Sequence, residues 1–142
     1  MNNIEDELTL QDLMATYVDA ANRRDGNAWA STWAEDGCWN LMGMEVEGRE
    51  AILALWRQVL AGFEFAVLMP SSHRFEINSD RATGHWYLQE FTRDLEGQSM
   101  FALSRYDDEY VRVNGRWLFK RRSYQFIYQG PAELPGDYTA LG

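Results

Sequence analysis

The hydrophobic period of this chain changes once, near Glu64, and that change restricts the possible folds more than any other feature. Before it, apolar residues recur at helical spacing; after it, they alternate. Leu10, Leu13, Met14, Tyr17, Val18 and Ala21 follow i, i+3, i+4, i+7, i+8, i+11, the apolar stripe of one amphipathic helix. Thr9 and Asp12 resemble a capping box with Asp in place of the usual Glu or Gln, and Asp25-Gly26 ends the helix. A short second helix at 27–34 would bury Trp29 and Trp33, four residues apart on one face. Asp36-Gly37 reads as a turn, and 38–42 with 45–47 as a small hairpin around Gly43. A third helix at 49–61 carries Ile52, Leu55, Trp56, Val59 and Leu60 on its buried stripe, with Gly62 as its stop.

After the change, strands are predicted at 64–69, 72–78, 82–94, 99–113 and 116–128, separated by Ser79-Asp80, Glu96-Gly97 and Asn114-Gly115. Asn-Gly between two aromatic-rich alternating runs is a strong hairpin signal. Strands this long must twist and coil, so the sheet curls into a half-barrel. Helices first and a meander afterwards predict an α+β domain, with N-terminal helices packed on a strongly curved antiparallel sheet. The tail from Gly130, with Pro131 and Pro135, reads as irregular, and with no repeat or linker the whole span 1–142 reads as a single domain.

Charge and composition narrow the function classes. A formal charge of −9 disfavours phosphate backbones, so no nucleic-acid partner is expected, and the basic run Lys120-Arg121-Arg122 lies in an alternating segment that splits it between two faces. The sole cysteine, Cys38, allows no internal disulfide. The first seven residues are acidic and lack the marks of a secretory signal, and no apolar run approaches a membrane span; a cytoplasmic location with no membrane partner is the expectation. Six tryptophans and seven tyrosines suit either a dense core or an aromatic-lined pocket.

Taken in order, residues 17–25 (YVDAANRRD), 33–39 (WAEDGCW), Gly48-Arg49 with the helix behind it, Tyr106-Asp107-Asp108-Glu109-Tyr110 and Asn114-Gly115-Arg116-Trp117 give the chain a family likeness. It resembles the SnoaL-like branch of the nuclear-transport-factor-2-like superfamily over nearly its whole length. The resemblance implies a conical, cystatin-like roll around a deep apolar pocket. It also implies chemistry of the proton-abstraction, elimination or isomerisation type, although some members of that superfamily lack catalysis. Relatives that eliminate use a histidine base oriented by an aspartate of the first helix. The resemblance places that aspartate at Asn22 and the histidine near Met69, so the pair is not kept. It also matches Arg122 and Asp108 to polar pocket positions.

The residues suggest the following site. His73, neutral near pH 7, is the candidate general base. Across the Asn114-Gly115 hairpin Asp108 faces Lys120–Arg122 within a residue or so, and Asp108 with Arg122 forms a candidate polar clamp, with Asp108 an anion beside the guanidinium. Glu90 shares a face with Trp86 and Leu88 and reaches towards a pocket mouth, whereas His85 points the other way. Tyr17 and Asn22 are hydrogen-bond positioners. Tyr17, Trp39, Met69, Phe75, Trp86, Leu88, Tyr106 and Tyr124 are candidate walls for an apolar ligand, while Trp29, Trp33, Trp56 and Trp117 belong to the core. Two histidines on separate strands predict no metal site. No phosphate loop, nucleophile elbow or Cys-x-x-Cys is present, and no cofactor is expected.

The expected protein is thus a cofactor-independent lyase or isomerase, dehydratase-like, acting on a small hydrophobic or polyketide-like molecule. The alternative is a non-catalytic binding protein or accessory subunit, motivated by Asn22 and Met69. Tyr87, Phe91 and Phe119, opposite in parity to the pocket set, suggest a homodimer through the outer sheet face.

Overall fold

The computed structural model describes residues 3–141; residues 1, 2 and 142 of the expected 1–142 domain lie outside the described residues. Three helices come first with one hairpin among them: α1 (Ile4–Arg23), α2 (Gly26–Ala30), β1 (Trp33–Leu41), β2 (Met44–Glu47) and α3 (Arg49–Leu60). A meander of four long strands follows: β3 (Phe63–Asn78), β4 (Arg81–Asp94), β5 (Ser99–Val113) and β6 (Arg116–Pro131). The fold is α+β, with the helices packed on a curled, unclosed sheet of order β2-β1-β6-β5-β4-β3. No helix among the described residues is long and apolar enough to cross a membrane.

The meander follows the alternating pattern closely. Asn114 and Gly115 have φ of 51° and 78°, the doubly positive backbone of a tight hairpin turn, which Asn and Gly tolerate best. Gly84 marks a close approach: a Cβ there would lie 2.3 Å from the Arg74 carbonyl oxygen.

Five local readings change. Helix α1 begins at Ile4, ahead of the capping box expected at Thr9 and Asp12, so Thr9 lies inside it with its hydroxyl donating to the Asp6 carbonyl at 3.0 Å. The second helix is only Gly26–Ala30, capped by the Asp25 carboxylate accepting from the Ala28 N–H at 3.1 Å. Trp33 instead opens β1, because the Phe119 N–H donates to the Thr32 carbonyl and draws this stretch into the sheet. Asp36-Gly37 is an irregularity inside β1, not a turn, and β1 runs parallel to β6 in an otherwise antiparallel sheet. The long connection between them permits this pairing. Segments 64–69 and 72–78 are one strand, β3, interrupted by a bulge between Pro70 and His73. The last strand also extends to Pro131, past the expected start of the irregular tail.

A second bulge decides which side chains reach the interior. β5 pairs Tyr110 with Phe119 but Glu109 with Arg121, which leaves Lys120 as the extra residue. Parity therefore flips after Phe119, and Trp117, Phe119, Arg122 and Tyr124 all turn inward. Phe119 is fully buried against Tyr17, Trp33 and Tyr110, which removes it from the outer face where a strict alternation put it.

Arg122 is the consequence. Its side chain is wholly buried, and it forms a fork with Asp108, Nε to Oδ1 at 2.7 Å and Nη2 to Oδ2 at 3.0 Å. The Tyr110 hydroxyl adds a third donor to Asp108 at 2.8 Å. The guanidinium lies under the rings of Tyr106 and Phe119, both 3.9 Å away, and of Tyr17 at 4.5 Å. Burial pushes the Asp108 carboxyl above its ordinary value, against the pull of Arg122 and Tyr110. Burial also opposes the charge on Arg122, yet the Asp108 carboxylate leaves its pKa raised. These directions disagree on the charge of Asp108. The fork from a guanidinium that does not deprotonate decides for the ionised pair.

Removing one partner would leave the other charge buried and uncompensated, at a cost of about 3–5 kcal/mol. Asp108→Ala is therefore expected to lower the unfolding free energy by that amount in urea denaturation. A midpoint equal to the parent's would contradict the buried-pair account.

Candidate functional site

Helices and sheet do not close completely on one another. Between them lies a cavity of about 330 Å³, in the range of small-molecule sites. Its helical side is formed by Tyr17 and Ala21 of α1, Trp29 of α2, and Trp56, Val59 and Leu60 of α3. Trp29 and Trp56 stack at 4.6 Å with an 11° tilt, a rigid aromatic floor. The sheet side carries Trp39 and Leu41, then Leu68, then Glu90, then Ala102 and Tyr106, then Tyr124 and Phe126. Small side chains at Ala21 and Ala102, where larger ones would fill the space, help keep it hollow.

Glu90 is the only Asp, Glu, Lys, Arg or His on this wall among the described residues. Two hydroxyls donate to its Oε2: Ser104 Oγ at 2.8 Å and the Tyr124 phenol in a short contact. Oε1 has no such donor among the described residues. Burial pushes the Glu90 carboxyl above its ordinary value of 4.5, and the two hydroxyls pull it part of the way back. The Tyr124 phenol is pushed strongly up, by burial first and by the neighbouring carboxylate second. Beside this group, Trp39 Nε1 donates to the Tyr106 hydroxyl at 3.0 Å, and the Tyr106 and Tyr17 hydroxyls are 3.3 Å apart. The hollow thus has largely apolar walls with two adjoining polar clusters, the Glu90 carboxylate with its donors and the phenol pair, which meet where the Tyr106 and Tyr124 rings lie 5.1 Å apart.

With that geometry in hand, comparison with known proteins gives a consistent answer. The SnoaL-like domain pattern matches residues 2–123. The chain belongs to the SnoaL-like family. It is 27% identical over 127 residues to the gamma-hexachlorocyclohexane dehydrochlorinase of Sphingobium indicum, covering 87% of this chain and 81% of that one. Its fold matches a type 2 hexachlorocyclohexane dehydrochlorinase with a TM-score of 0.87 at 23% identity, over 99% of this chain and 97% of that one. It also matches a candidate scytalone dehydratase of Novosphingobium aromaticivorans with a TM-score of 0.85 at 17% identity, over 93% and 91% of the two chains.

This SnoaL-like chain gathers part of the expected set. Tyr17, Trp39, Glu90, Tyr106 and Tyr124 all line the cavity. Eight others sit elsewhere. Met69 is 58% exposed, because the alternation of β3 directs Leu68 inward and its neighbour out. Trp86 and Leu88 are buried in the packed core, and Phe75 packs edge-on against Trp86 and Tyr110. His73 stacks on Trp86 at 4.3 Å and borders a separate surface groove with Glu7. The bulge before His73 carries it beyond the cavity wall, and burial lowers its pKa. Asp108 and Arg122 lie behind the Tyr17 and Tyr106 rings and do not line the cavity, so they cannot clamp a ligand there directly.

Asn22 is committed to the backbone. Its Nδ2 donates to the Leu68 carbonyl at 3.0 Å, and its Oδ1 accepts from the Leu68 N–H at 3.0 Å. The side chain acts as a one-residue extension of the sheet edge, tying α1 to β3 where Leu68 enters the cavity wall. Meanwhile Trp29 and Trp56, assigned to the core by pattern, are also floor residues; their helical spacing locates the buried face but not whether that face meets atoms or a void.

An aspartate at position 22 would set a carboxylate oxygen against the Leu68 carbonyl. Asn22→Asp is expected to cost about 1–3 kcal/mol, the scale of a buried group left without its partner. Thermal unfolding at pH 7 tests this; equal stability of the two forms would remove the tie between α1 and β3.

Proposed function

We propose that this protein is a cofactor-independent lyase for a small, largely apolar molecule, with Glu90 as the general base. The carrying observation is a lone carboxylate of raised pKa on a largely apolar cavity wall, with one oxygen uncommitted. Desolvation raises the basicity of such a group towards the operating pH, which favours proton transfer from weakly acidic carbon. The dehydrochlorinase and candidate dehydratase relatives support the reaction class.

In this reading Glu90 Oε1 takes a proton from the substrate carbon. The C–H electron pair becomes the new double bond as the neighbouring carbon–leaving-group bond breaks, and the leaving group departs with its pair. Protonated Glu90 then returns its proton to water. Ser104 and Tyr124 hold the carboxylate through Oε2, which fixes the direction of Oε1. His73, off the cavity wall, has no part in this step. A non-catalytic binding role is the second reading, favoured by the commitment of Asn22 to Leu68 in place of a histidine partner.

Glu90→Gln should reduce turnover by about 10²–10⁴-fold, while His73→Ala leaves it near the parent value. The parent rate should rise with pH through a value above 4.5 and then level off. An unchanged rate in the Gln variant would refute the base assignment, and ligand binding without turnover would favour the second reading.

Stability gives an independent check with a definite sign. A carboxyl whose folded pKa is raised contributes stability that is complete below the unfolded value and is lost as pH rises through the folded one. The melting temperature of Glu90→Gln relative to the parent should therefore climb between pH 4 and pH 8. A flat difference would mean that Glu90 is not desolvated.

A further inference from the structure

Glu90 is a charge without a counter-charge. Its partners are two hydroxyls, Ser104 Oγ and the Tyr124 phenol, and no Lys, Arg or His of the described residues bonds to it. The sealed carboxylate of Asp108, by contrast, has Arg122 at 2.7 Å. A carboxylate drawn out of water is costly unless a cation or a full set of donors answers it, and at Glu90 the protein supplies only part of that answer. Aromatic rings adjoin the open position. The Tyr124 ring meets Phe126 edge-on at 5.3 Å and lies 5.1 Å from Tyr106, while Phe126 stands opposite Ser104 in the β5–β6 register. All three rings line the cavity. Arg122 already covers one face of Tyr106 at 3.9 Å, so the rings left to a ligand beside Glu90 are those of Tyr124 and Phe126.

We propose that the ligand of this cavity is a protonated amine on an apolar body, its ammonium seated between the Glu90 carboxylate and the rings of Tyr124 and Phe126. Three features carry this. Glu90 Oε1 is an uncommitted acceptor, and a charge-assisted hydrogen bond from an ammonium is stronger there than one from a neutral group. The electron-rich faces of aromatic rings attract a cation and leave an uncharged group of the same size indifferent. No cation on the cavity wall opposes it, because Arg122 lies behind Tyr106 and is neutralised by Asp108. The formal charge of −9 also gathers cations around the protein as a whole, whereas an anionic ligand would be repelled by Glu90.

The substrate class deepens the Glu90 reading, and its chemical meaning rests on that reading. The pull of carboxylate on ammonium holds the carbon next to the C–N bond within reach of Oε1. Oε1 takes a proton from that carbon, and the C–H pair becomes the carbon–carbon double bond. The C–N bond breaks with its pair staying on nitrogen, so the leaving group departs as a neutral amine. The ammonium also keeps Glu90 ionised in the bound state, which burial by itself opposes.

Binding tests it without turnover. Isothermal titration of the whole protein at pH 7 would compare 2-(2-naphthyl)ethylamine, charged at that pH, with 2-(2-naphthyl)ethanol and 2-naphthylacetate. The amine should bind at least about 10-fold tighter than the alcohol, the low end for a hydrogen bond to a charged group, and the acetate weakest of the three. In Glu90→Gln the amine-to-alcohol ratio should fall to near unity. An amine no tighter than the alcohol in the parent would overturn the proposal, as would a preference that survives in the variant. Should the variant not fold, the parent ratio in about 1 M sodium chloride decides, because salt screens attraction to the outer surface far more than a pair inside the cavity. A ratio that persists supports the Glu90 pair, and one that falls to unity overturns it. An unchanged kcat in Glu90→Gln would sink the base assignment alone and leave these binding results standing, while equal affinities in the parent would leave Glu90 a base for uncharged substrates.

Discussion

Arg122 carries a charge that cannot be discharged, in a place that water does not reach, and much of the interior is arranged around that fact. Asp108 neutralises it through a two-point fork, Tyr110 holds Asp108, and three aromatic rings cover the guanidinium. Those rings come from α1, β5 and β6, so the pair ties the first helix to the two central strands of the meander. A hydrophobic side chain of similar volume could pack there, but it would not polarise the phenols above it. The ion pair is therefore both a structural bolt and the electrostatic floor beneath one side of the cavity.

The cavity gathers its polar groups into two neighbouring clusters. Glu90 with its two hydroxyl donors is one, and the Tyr17–Tyr106–Trp39 chain is the other, with the Tyr106 and Tyr124 rings 5.1 Å apart where the two meet. The rest of the lining is mostly aliphatic and indole. Such a lining suits a ligand that is apolar over most of its area and polar at one end. It also gives each polar group an environment of low dielectric, in which one hydrogen bond or one charge weighs more than it would in water.

Strand irregularities do more to define this site than helix or strand propensity. The Lys120 bulge in β6 lets Phe119 and Arg122 both point inward, although they are three residues apart. The bulge after Pro70 carries His73 past the cavity wall, onto Trp86. In each case one extra residue reassigns every side chain beyond it. Alternation read along the sequence has no means of seeing that.

What the sequence determined alone was the architecture: the change of period at Glu64, the Asn114-Gly115 turn and the α1 stripe are local, and local backbone preferences decide them. It also set Asp108 opposite Lys120–Arg122 to within a residue, because a tight turn fixes register, and it placed Glu90 on the same face as Trp86 and Leu88, while the choice of Arg122 belongs to the Lys120 bulge. Only the tertiary structure decided that the Asp108–Arg122 pair is sealed off, that Glu90 and not His73 meets the hollow, and that Trp29 and Trp56 form its floor. Burial against atoms and burial against a void leave the same apolar signature in a chain. The two part only when α3, β4 and β6, distant in sequence, are brought around one volume that their side chains do not fill.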